Sequence, residues 1–431
     1  MGHFITSAGD GAHLHAKESD RHHHAPGLFR GCAAIVLLLV HASCTRTSSH
    51  GVDPQVAQQI AAIKAIDNHA HPPLPDPADR DFDALPVEML EAQTDPVRLR
   101  PPGQPGLKPT LKLSPAETLD RAGIDRVIAN RVSMGPGLPP ERFLWVAYAD
   151  ALMYPFATAV LDINPDRTAF FALEAKLLER YYQESGVAAR PASLEDYLAR
   201  VVLATIRRHK QGGAIGEKFE MAYLRPLEIG NPSRAEAEAA WRDGGRTGAA
   251  YRKLQDFIFR AIAAECGSLG MAVHFHTGDG SGSYFDFQGA NPLLLQALYN
   301  DPSLRKTNFV MVHGGWPFTR EAGALLEKPN AYLDFSMQQF LRAPSDLAQT
   351  IRAWLELTPE KVMFGTDAYP YAPDAGLGWS ETTLMASQAG REALGLALTD
   401  MVREGTASRE RAGELAAMVL RENARKLYGL K

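Results

Sequence analysis

A regular alternation of short apolar segments and helical stretches constrains the fold of this chain more than any other feature. About eight segments are rich in β-branched and aromatic residues, and stretches with helical periodicity separate most of them. They cover residues 63–68, 126–129, 143–147, 214–221, 271–275, 308–312, 331–335 and 361–364, and the third is equally compatible with a helix. Alternation of strands and helices favours a parallel sheet, either open and doubly wound or closed into a barrel.

Polar residues that can bind metals or protons follow several of these segments. They are His69, His71, His274, His276, His313 and Asp367. Because the active sites of barrels lie at the carboxyl ends of the strands, this placement favours the barrel over the open sheet. We therefore predict an α/β protein, a single-domain (β/α)8 TIM barrel with insertions, over residues 45–431. Residues 72–109 are rich in proline and lack periodicity, which indicates a long loop over the barrel mouth.

The composition is that of a folded soluble protein and excludes some classes of function. The chain has 431 residues, of which 45% are hydrophobic and 22% charged. Its formal net charge is −5, so it has no overall positive field that would hold nucleic acid. Its 3 cysteines cannot form a disulfide framework. We expect a small-molecule substrate and no nucleic-acid partner. The sequence leaves the oligomeric state open, and a homo-oligomer is one of the alternatives.

The first part of the chain has the pattern of an export signal. Residues 32–40 (CAAIVLLLV) are apolar and uncharged, and Arg30 precedes them. A membrane-spanning helix needs about 20 residues, so this run suits the hydrophobic region of a signal peptide instead. Ala42-Ser43-Cys44 resembles the end of a bacterial lipobox, whose cysteine carries a lipid; cleavage nearby with no lipid is the alternative. We predict a leader over residues 1–44 and an exported protein, either periplasmic or attached to the membrane through a lipid on Cys44.

Two His-x-His pairs suggest a metal site. In an extended strand, residues two apart point to the same face, so His69 and His71 can face one metal ion. A single pair is more often two ordinary polar histidines, and an aspartate such as Asp367 is often a turn former. Together with His276 and His313, however, they form a series that polar histidines and turn formers account for poorly. The series supplies the nitrogen and oxygen ligands and the acidic base that a hydrolytic metal centre requires.

The order of these motifs resembles the amidohydrolase superfamily, and most of all its amidohydrolase-related (amidohydrolase-2) branch of metal-dependent hydrolases and non-oxidative decarboxylases. The matching motifs are Asp67-Asn68-His69-Ala70-His71, His276-Thr277-Gly278, His313-Gly314-Gly315, Gly365-Thr366-Asp367 and the C-terminal run from Asn423 to Gly429. The resemblance implies a (β/α)8 barrel and a divalent metal, zinc in the first place and manganese in the second. It also implies metal ligands at His69, His71, His276 and Asp367, and a catalytic or second-metal histidine at His313.

Four other residues carry less specific expectations. In binuclear members of the superfamily, a lysine at the barrel position of Lys218 is carbamylated and bridges two metals. In mononuclear members it is unmodified, and here it would bind a substrate carboxylate or pair with Glu220. Arg225 is a candidate for binding an anionic substrate group, with a structural ion pair as the alternative. We expect His274 to pack inside the barrel, and His209, beside basic residues at a helix end, to lie on a solvated face.

The sequence therefore predicts a metal-dependent hydrolase that cleaves an amide, ester or lactone bond through a metal-activated water. Asp367 would take the proton of the water, and the metal or His313 would stabilise the oxyanion. Non-oxidative decarboxylation in the same pocket is the alternative, because the motifs do not separate the two reactions. A metal-binding lipoprotein without turnover is a third hypothesis, which the base at Asp367 argues against.

Overall fold

Eight parallel strands follow one another around one sheet in chain order. The computed structural model describes residues 51–74, 81, 83, 110–156, 167–282, 284–370 and 376–431. The strands are β1 Ala65–Ala70, β2 Ile124–Asn130, β3 Phe143–Tyr148, β4 Gly216–Phe219, β5 Ala272–His276, β6 Phe309–Val312, β7 Ala331–Asp334 and β8 Val362–Met363. Each corresponds to one of the segments predicted from the sequence.

Backbone hydrogen bonds close the sheet between the first strand and the chain that follows the last one. The N–H of Asp367 donates to the carbonyl of His69 over 2.7 Å, and the N–H of His71 donates to the carbonyl of Ala368 over 2.9 Å. A parallel bridge between Ala70 and Ala368 accompanies them. The predicted (β/α)8 TIM barrel is therefore confirmed.

Helices connect most of the strands along the outside of the barrel, whereas β2 and β3 are joined by residues 131–142 without a helix. In the described part of the chain the α-helices are α1 Pro54–Ala62, α2 Pro115–Ala122, α3 Thr168–Glu184, α4 Leu194–Tyr197, α5 Leu203–Gln211, α6 Arg234–Asp243, α7 Gly248–Leu269, α8 Gln296–Asn300, α9 Thr319–Leu325, α10 Gln338–Leu341, α11 Pro344–Leu357, α12 Trp379–Arg403, α13 Arg409–Ala417 and α14 Asn423–Leu427. The π-helical turns Leu198–Val202 and Met418–Glu422 join α4 to α5 and α13 to α14.

Local sequence determines where several of these helices begin and end. The side chain of Ser114 accepts a hydrogen bond from the N–H of Glu117, and the Glu117 carboxylate accepts one from the N–H of Ser114, which starts α2. Ser233 and Glu236 start α6 in the same way. Each such cap contributes about 1 kcal/mol. Gly123 ends α2 with a φ of 69°, a left-handed conformation that favours glycine, and β2 follows directly.

The two faces of the strands pack into two apolar clusters. One face contributes to the large cluster shared with the surrounding helices. The other face contributes to a smaller cluster with Ala424 of α14, against which Leu427 and Tyr428 pack. The C-terminal helix expected from the sequence thus covers strand residues of the barrel, and the polar residues at the carboxyl ends of the strands are left to form a site.

Two predictions lie mostly or wholly outside the described residues. The proposed leader over residues 1–44 is one, and most of the loop over residues 72–109 is the other. Residues 51–431 form one compact unit by their internal contacts. Within the described ranges, no helix combines the length and the apolar character needed to cross a membrane.

Candidate metal centre

Three predicted metal ligands come together at the carboxyl ends of β1 and β8. The Nε2 atom of His69 lies 3.0 Å from Oδ1 of Asp367 and 3.2 Å from Nε2 of His71. The Nε2 atom of His71 lies 3.4 Å from the same carboxylate oxygen. Tetrahedral zinc with bonds of about 2.0–2.1 Å places its ligand atoms roughly 3.3 Å apart. The three atoms therefore fit one metal ion without rearrangement.

The backbone that carries these ligands is held firmly and is partly strained. The carboxylate of Asp67 accepts hydrogen bonds from the N–H and the hydroxyl of Thr366, which joins β1 to the segment after β8. Asp367 has a φ of 55° and His313 a φ of 71°, although neither is glycine. Residues in this left-handed region cost about 1–3 kcal/mol and are concentrated at functional sites. Their occurrence here supports a functional role for both side chains.

The second ring nitrogen of each β1 histidine has a polar partner. The side-chain amide of Asn130 lies 2.7 Å from Nδ1 of His69. Nδ1 of His71 lies 3.0 Å from Oδ2 of Asp83 and 3.1 Å from the hydroxyl of Tyr148. When Nδ1–H donates to an oxygen, the lone pair of Nε2 is left for a metal. Asp83 accepts in this way from His71. Asn130 instead presents its amide nitrogen, which donates to Nδ1 of His69, so the His69 proton lies on Nε2 facing Asp367, where a metal would replace it. A half-turn of the Asn130 amide, whose oxygen has no other partner in the described part of the chain, would supply the acceptor for Nδ1–H that a metal ligand needs.

The two β1 histidines differ in their electrostatic surroundings. Burial lowers the pKa of His69 well below its usual value, and the charge of Lys218 lowers it further. Burial also lowers the pKa of His71, but the negative charges of Asp83 and Asp367 outweigh it and raise that pKa to about 10. His69 is therefore neutral, as a metal ligand must be, whereas His71 would release a proton when its Nε2 binds a metal.

His313 belongs to the same site. His69, His313 and Asp367 each offer a ligand atom, and these atoms lie within 4.8 Å of one another. Nδ1 of His313 lies 2.9 Å from Oγ of Ser336, whose hydroxyl donates to Oδ1 of Asp334 over 2.6 Å. Nδ1–H of His313 therefore donates to Ser336, and Nε2 is left as an acceptor.

His276, the fourth predicted ligand, lies beside this group in a different orientation. Its ring centroid is 4.7 Å from that of His313. Its Nε2 lies 2.8 Å from the backbone oxygen of Asp279, so Nε2–H donates there and Nδ1 is the nitrogen left for a metal. The role of His276 as a ligand stays a prediction.

Lys218 is fully buried at the middle of the site. Its Nζ lies 3.7 Å from Oε1 of Glu220, and it has no hydrogen-bond partner among the described residues. Its charge lowers the pKa of His276 and His313 as well as that of His69. The ion-pair distance to Glu220 fits the predicted pairing with that residue. A buried ammonium group without hydrogen bonds is costly, which also leaves the other two predicted roles open, carbamylation and binding of a substrate carboxylate.

Arg225 is engaged by protein groups. Its guanidinium lies 2.8 Å from Asp256 and donates to Gln255 over 3.0 Å and to the carbonyl of Glu228 over 2.7 Å. These contacts favour the structural ion pair over binding of an anionic substrate. His274, as expected, is buried inside the barrel, where its Nε2 lies 2.8 Å from the hydroxyl of Tyr428.

The expectation that His209 lies on a solvated face is wrong. Its side chain is buried, and its Nδ1 lies 3.0 Å from Oε1 of Glu217. The rings of Trp145 and Tyr181 pack against it, with centroids 5.2 and 5.4 Å away. The basic residues around His209 point to solvent, but its own position on the helix turns it toward the barrel wall.

Sequence reasoning missed four residues that position the site. Asn130, Tyr148 and Asp334 are the last residues of β2, β3 and β7. The rule that found the histidines, a polar residue at the carboxyl end of a strand, would have found these three too. Asp83 lies in the proline-rich stretch after β1, and its sequence context carries no such signal.

Aromatic rings form a wall beside the metal ligands. The ring centroid of Tyr223 lies 4.7 Å from that of His276, and the ring of Phe285 is 6.0 Å from the same histidine. Tyr369 lies 5.5 Å from His71. Aromatic rings therefore pack directly against two of the candidate metal ligands, His71 and His276.

The fold and the site define a metal-dependent enzyme of barrel type. A family model described as amidohydrolase matches residues 66–430. This chain therefore belongs to the amidohydrolase superfamily, in its amidohydrolase-related branch, as the motifs predicted. The groups around His69 and His71 provide its candidate metal site.

Individual relatives are distant or match only in part. The protein fluG of Emericella nidulans is 31% identical over 187 residues, which are 42% of this chain and 20% of fluG. The chain thus spans about a fifth of the length of this relative. A solved structure from Lactobacillus casei, described as a metal-dependent hydrolase, matches with a TM-score of 0.50 at 18% identity, over 67% of this chain and 65% of that one. A uronate isomerase from Thermotoga maritima matches with a TM-score of 0.51 at 12% identity, over 74% and 70%. At these identities the structures show the fold alone.

Proposed function

We propose that this protein is a metal-dependent hydrolase that cleaves an amide, ester or lactone bond. The observation that carries the proposal is the Asp367 carboxylate, which lies within 3.4 Å of a ring nitrogen of both His69 and His71. When bound there, a divalent metal, zinc or in its place manganese, lowers the pKa of a water molecule and polarises the substrate carbonyl. The protein residues around it hold and move the protons.

Asp367 is the proton acceptor in this proposal. Burial raises the pKa of its carboxyl group, but two effects hold that pKa well below its usual range: the attraction of His313, which becomes protonated in the acid range where this carboxyl titrates, and the hydrogen bonds from His69 and His71. The carboxylate is therefore ionised at neutral pH. It takes the proton of the attacking water and returns it to the leaving group.

The hydrogen bonds of His313 narrow its role. Burial lowers the pKa of His313 to about 3, so the ring is neutral. Because Nδ1–H donates to Ser336, Nε2 accepts and does not donate. His313 is thus suited to orient the attacking water or to bind a metal, and unsuited to stabilise an oxyanion by donating a hydrogen bond.

The test begins with the metal. Purified protein is analysed for metal content, then screened with the native metal against amides, lactones and aromatic carboxylates, and the products are identified. We expect Asp367→Asn to lose about 10²–10⁴-fold in kcat while keeping more metal than a histidine variant, because its main task is proton transfer. Asp346→Asn, an exposed aspartate of α11, is the matched control. Full activity in metal-free Asp367→Asn protein would contradict the proposal.

Non-oxidative decarboxylation is a second candidate, and two features of the pocket favour it. The buried ammonium group of Lys218 can bind a substrate carboxylate, and the rings of Tyr223 and Phe285 suit an aromatic acid. Carbon dioxide release from an aromatic carboxylate, with no water-derived oxygen in the organic product, would support this reaction. Incorporation of ¹⁸O from labelled water into the product would support hydrolysis.

A further inference from the structure

A second group of ligand-type atoms lies on the other side of the His71 ring. His71, Asp83 and Glu220 each offer one such atom, and these atoms lie within 4.8 Å of one another. The contact from His71 to Asp83 is made by Nδ1, whereas Nε2 faces Asp367. The group therefore borders the candidate metal centre but is not part of it.

Two more buried carboxylates face this group. Glu174 of α3 is 1% exposed, and neither of its carboxylate oxygens has a hydrogen-bond partner among the described residues. Asp150, just after β3, is also buried; its Oδ2 accepts from the N–H of Glu220 over 2.8 Å, while its Oδ1 has no partner in the described part of the chain. Burial and the charges of Asp150, Glu220 and Asp83 raise the pKa of Glu174 well above its usual value, so these groups interact closely.

The acidic pocket consists of Asp83, Asp150, Glu174 and Glu220, and the last three have carboxylate oxygens without a hydrogen-bond partner among the described residues. Lys218 lies 3.7 Å from Glu220, and within the described ranges no other lysine or arginine forms an ion pair with Asp150, Glu174 or Glu220. Burying carboxylates without compensation is costly, so the pocket must take up either protons or a cation. Oxygen-rich sites of this kind are those that hard divalent cations occupy.

We propose that the acidic pocket binds a divalent cation that prefers oxygen ligands, of the class of Mg²⁺, Mn²⁺ or Ca²⁺, separate from the metal held by His69, His71 and Asp367. Asp83 and Glu220 are its direct ligands, and Asp150 and Glu174 bind it through water. His71 keeps its Nδ1–H on Asp83, so the two cations lie on opposite sides of one imidazole ring. Acidic residues can cluster without a cation. Such a cluster does not account for the buried carboxylate of Glu174, whose oxygens have no hydrogen-bond partner among the described residues.

The test uses metal binding alone, so its result does not depend on the proposed reaction. Chelator-treated full-length protein is loaded with one equivalent of Zn²⁺ and titrated with Mn²⁺, and free Mn²⁺ is followed by electron paramagnetic resonance. We expect one further Mn²⁺ per chain in the wild type. Glu220→Gln and Glu174→Gln should each weaken this binding by about tenfold or more, as the loss of a metal ligand or of its outer partner does. Glu179→Gln, an exposed glutamate on the same helix as Glu174, should leave it unchanged.

Two further measurements separate binding in the acidic pocket from binding at the lysine. Mn²⁺ should raise the melting temperature of the zinc-loaded wild type but not that of zinc-loaded Glu174→Gln, which also checks that the variant folds. Lys218→Ala should keep the second Mn²⁺. Loss of the second Mn²⁺ in Lys218→Ala with retention in Glu174→Gln would overturn the proposal in favour of a site at the lysine. Failure of the zinc-loaded wild type to bind Mn²⁺ would overturn it outright.

Discussion

Replacement of Asn130 by alanine tests whether the second ring nitrogen of His69 controls metal binding. Asn130 is fully buried, and its amide lies 2.7 Å from Nδ1 of His69. In Asn130→Ala this partner is lost, and the imidazole is free to rotate. Loss of such a partner costs about 10–100-fold in metal affinity, or roughly 1.4–2.7 kcal/mol. Affinity is measured by competition with a chromophoric zinc chelator.

Two further variants make this prediction specific. Asn130→Asp replaces the donating amide nitrogen by a carboxylate oxygen, which favours the tautomer with the proton on Nδ1 and leaves Nε2 for a metal, so it should bind metal at least as tightly as the wild type. Asn330→Ala removes another buried asparagine. Asn330 lies just before β7, at the opposite end of the strands from the site, and its amide donates to the carbonyls of Leu304 and Thr307. It should lose stability without losing metal affinity. Unchanged affinity in Asn130→Ala, or equal losses in the two alanine variants, would refute the reasoning.

The other predictions concern the ligands, Lys218 and the leader. His69→Ala combined with His71→Ala should abolish metal retention and turnover, as metal analysis and an activity assay will show; metal retained at wild-type affinity would contradict the site. If one catalytic metal suffices, Lys218→Ala should mainly raise KM for an anionic substrate, whereas loss of metal together with a dependence on bicarbonate would indicate a carbamylated bridge. N-terminal sequencing should find a mature chain that starts at or shortly after residues 32–40. If membrane fractions hold lipidated protein, Cys44→Ser should release it, and an uncleaved cytosolic chain would contradict export.

The fold was predictable because the strands of a barrel are buried on both faces. Such strands read as short continuous apolar runs, and the observed β5 Ala272–His276 and β6 Phe309–Val312 differ from their predicted limits by one residue or less. The shared orientation of His69 and His71 was predictable for a related reason. In an extended strand, every second side chain points to the same face. These features depend on local geometry, which the sequence contains.

What the sequence could not show depends on contacts between distant segments. His209 is flanked by basic residues, yet the rings of Trp145 and Tyr181 cover it. His276 has the expected position, but the hydrogen bond of its Nε2 to the carbonyl of Asp279 is a matter of loop conformation. Asp83 reaches His71 from a stretch without periodicity. In each case a partner from another segment, or the conformation of a loop, decides the environment of the side chain.

The candidate metal ligands are also part of the structure that closes the barrel. The hydrogen bond from the N–H of Asp367 to the carbonyl of His69 joins the two residues whose side chains are 3.0 Å apart in the site. The carboxylate of Asp67 holds Thr366, the residue before Asp367, through two further hydrogen bonds. The spacing of the ligands is therefore set by the backbone that joins the first strand to the last. Because these contacts also hold Asp367 in its strained conformation, the rigidity of the closed barrel keeps the carboxylate in place for the metal binding and proton transfer that we propose for it.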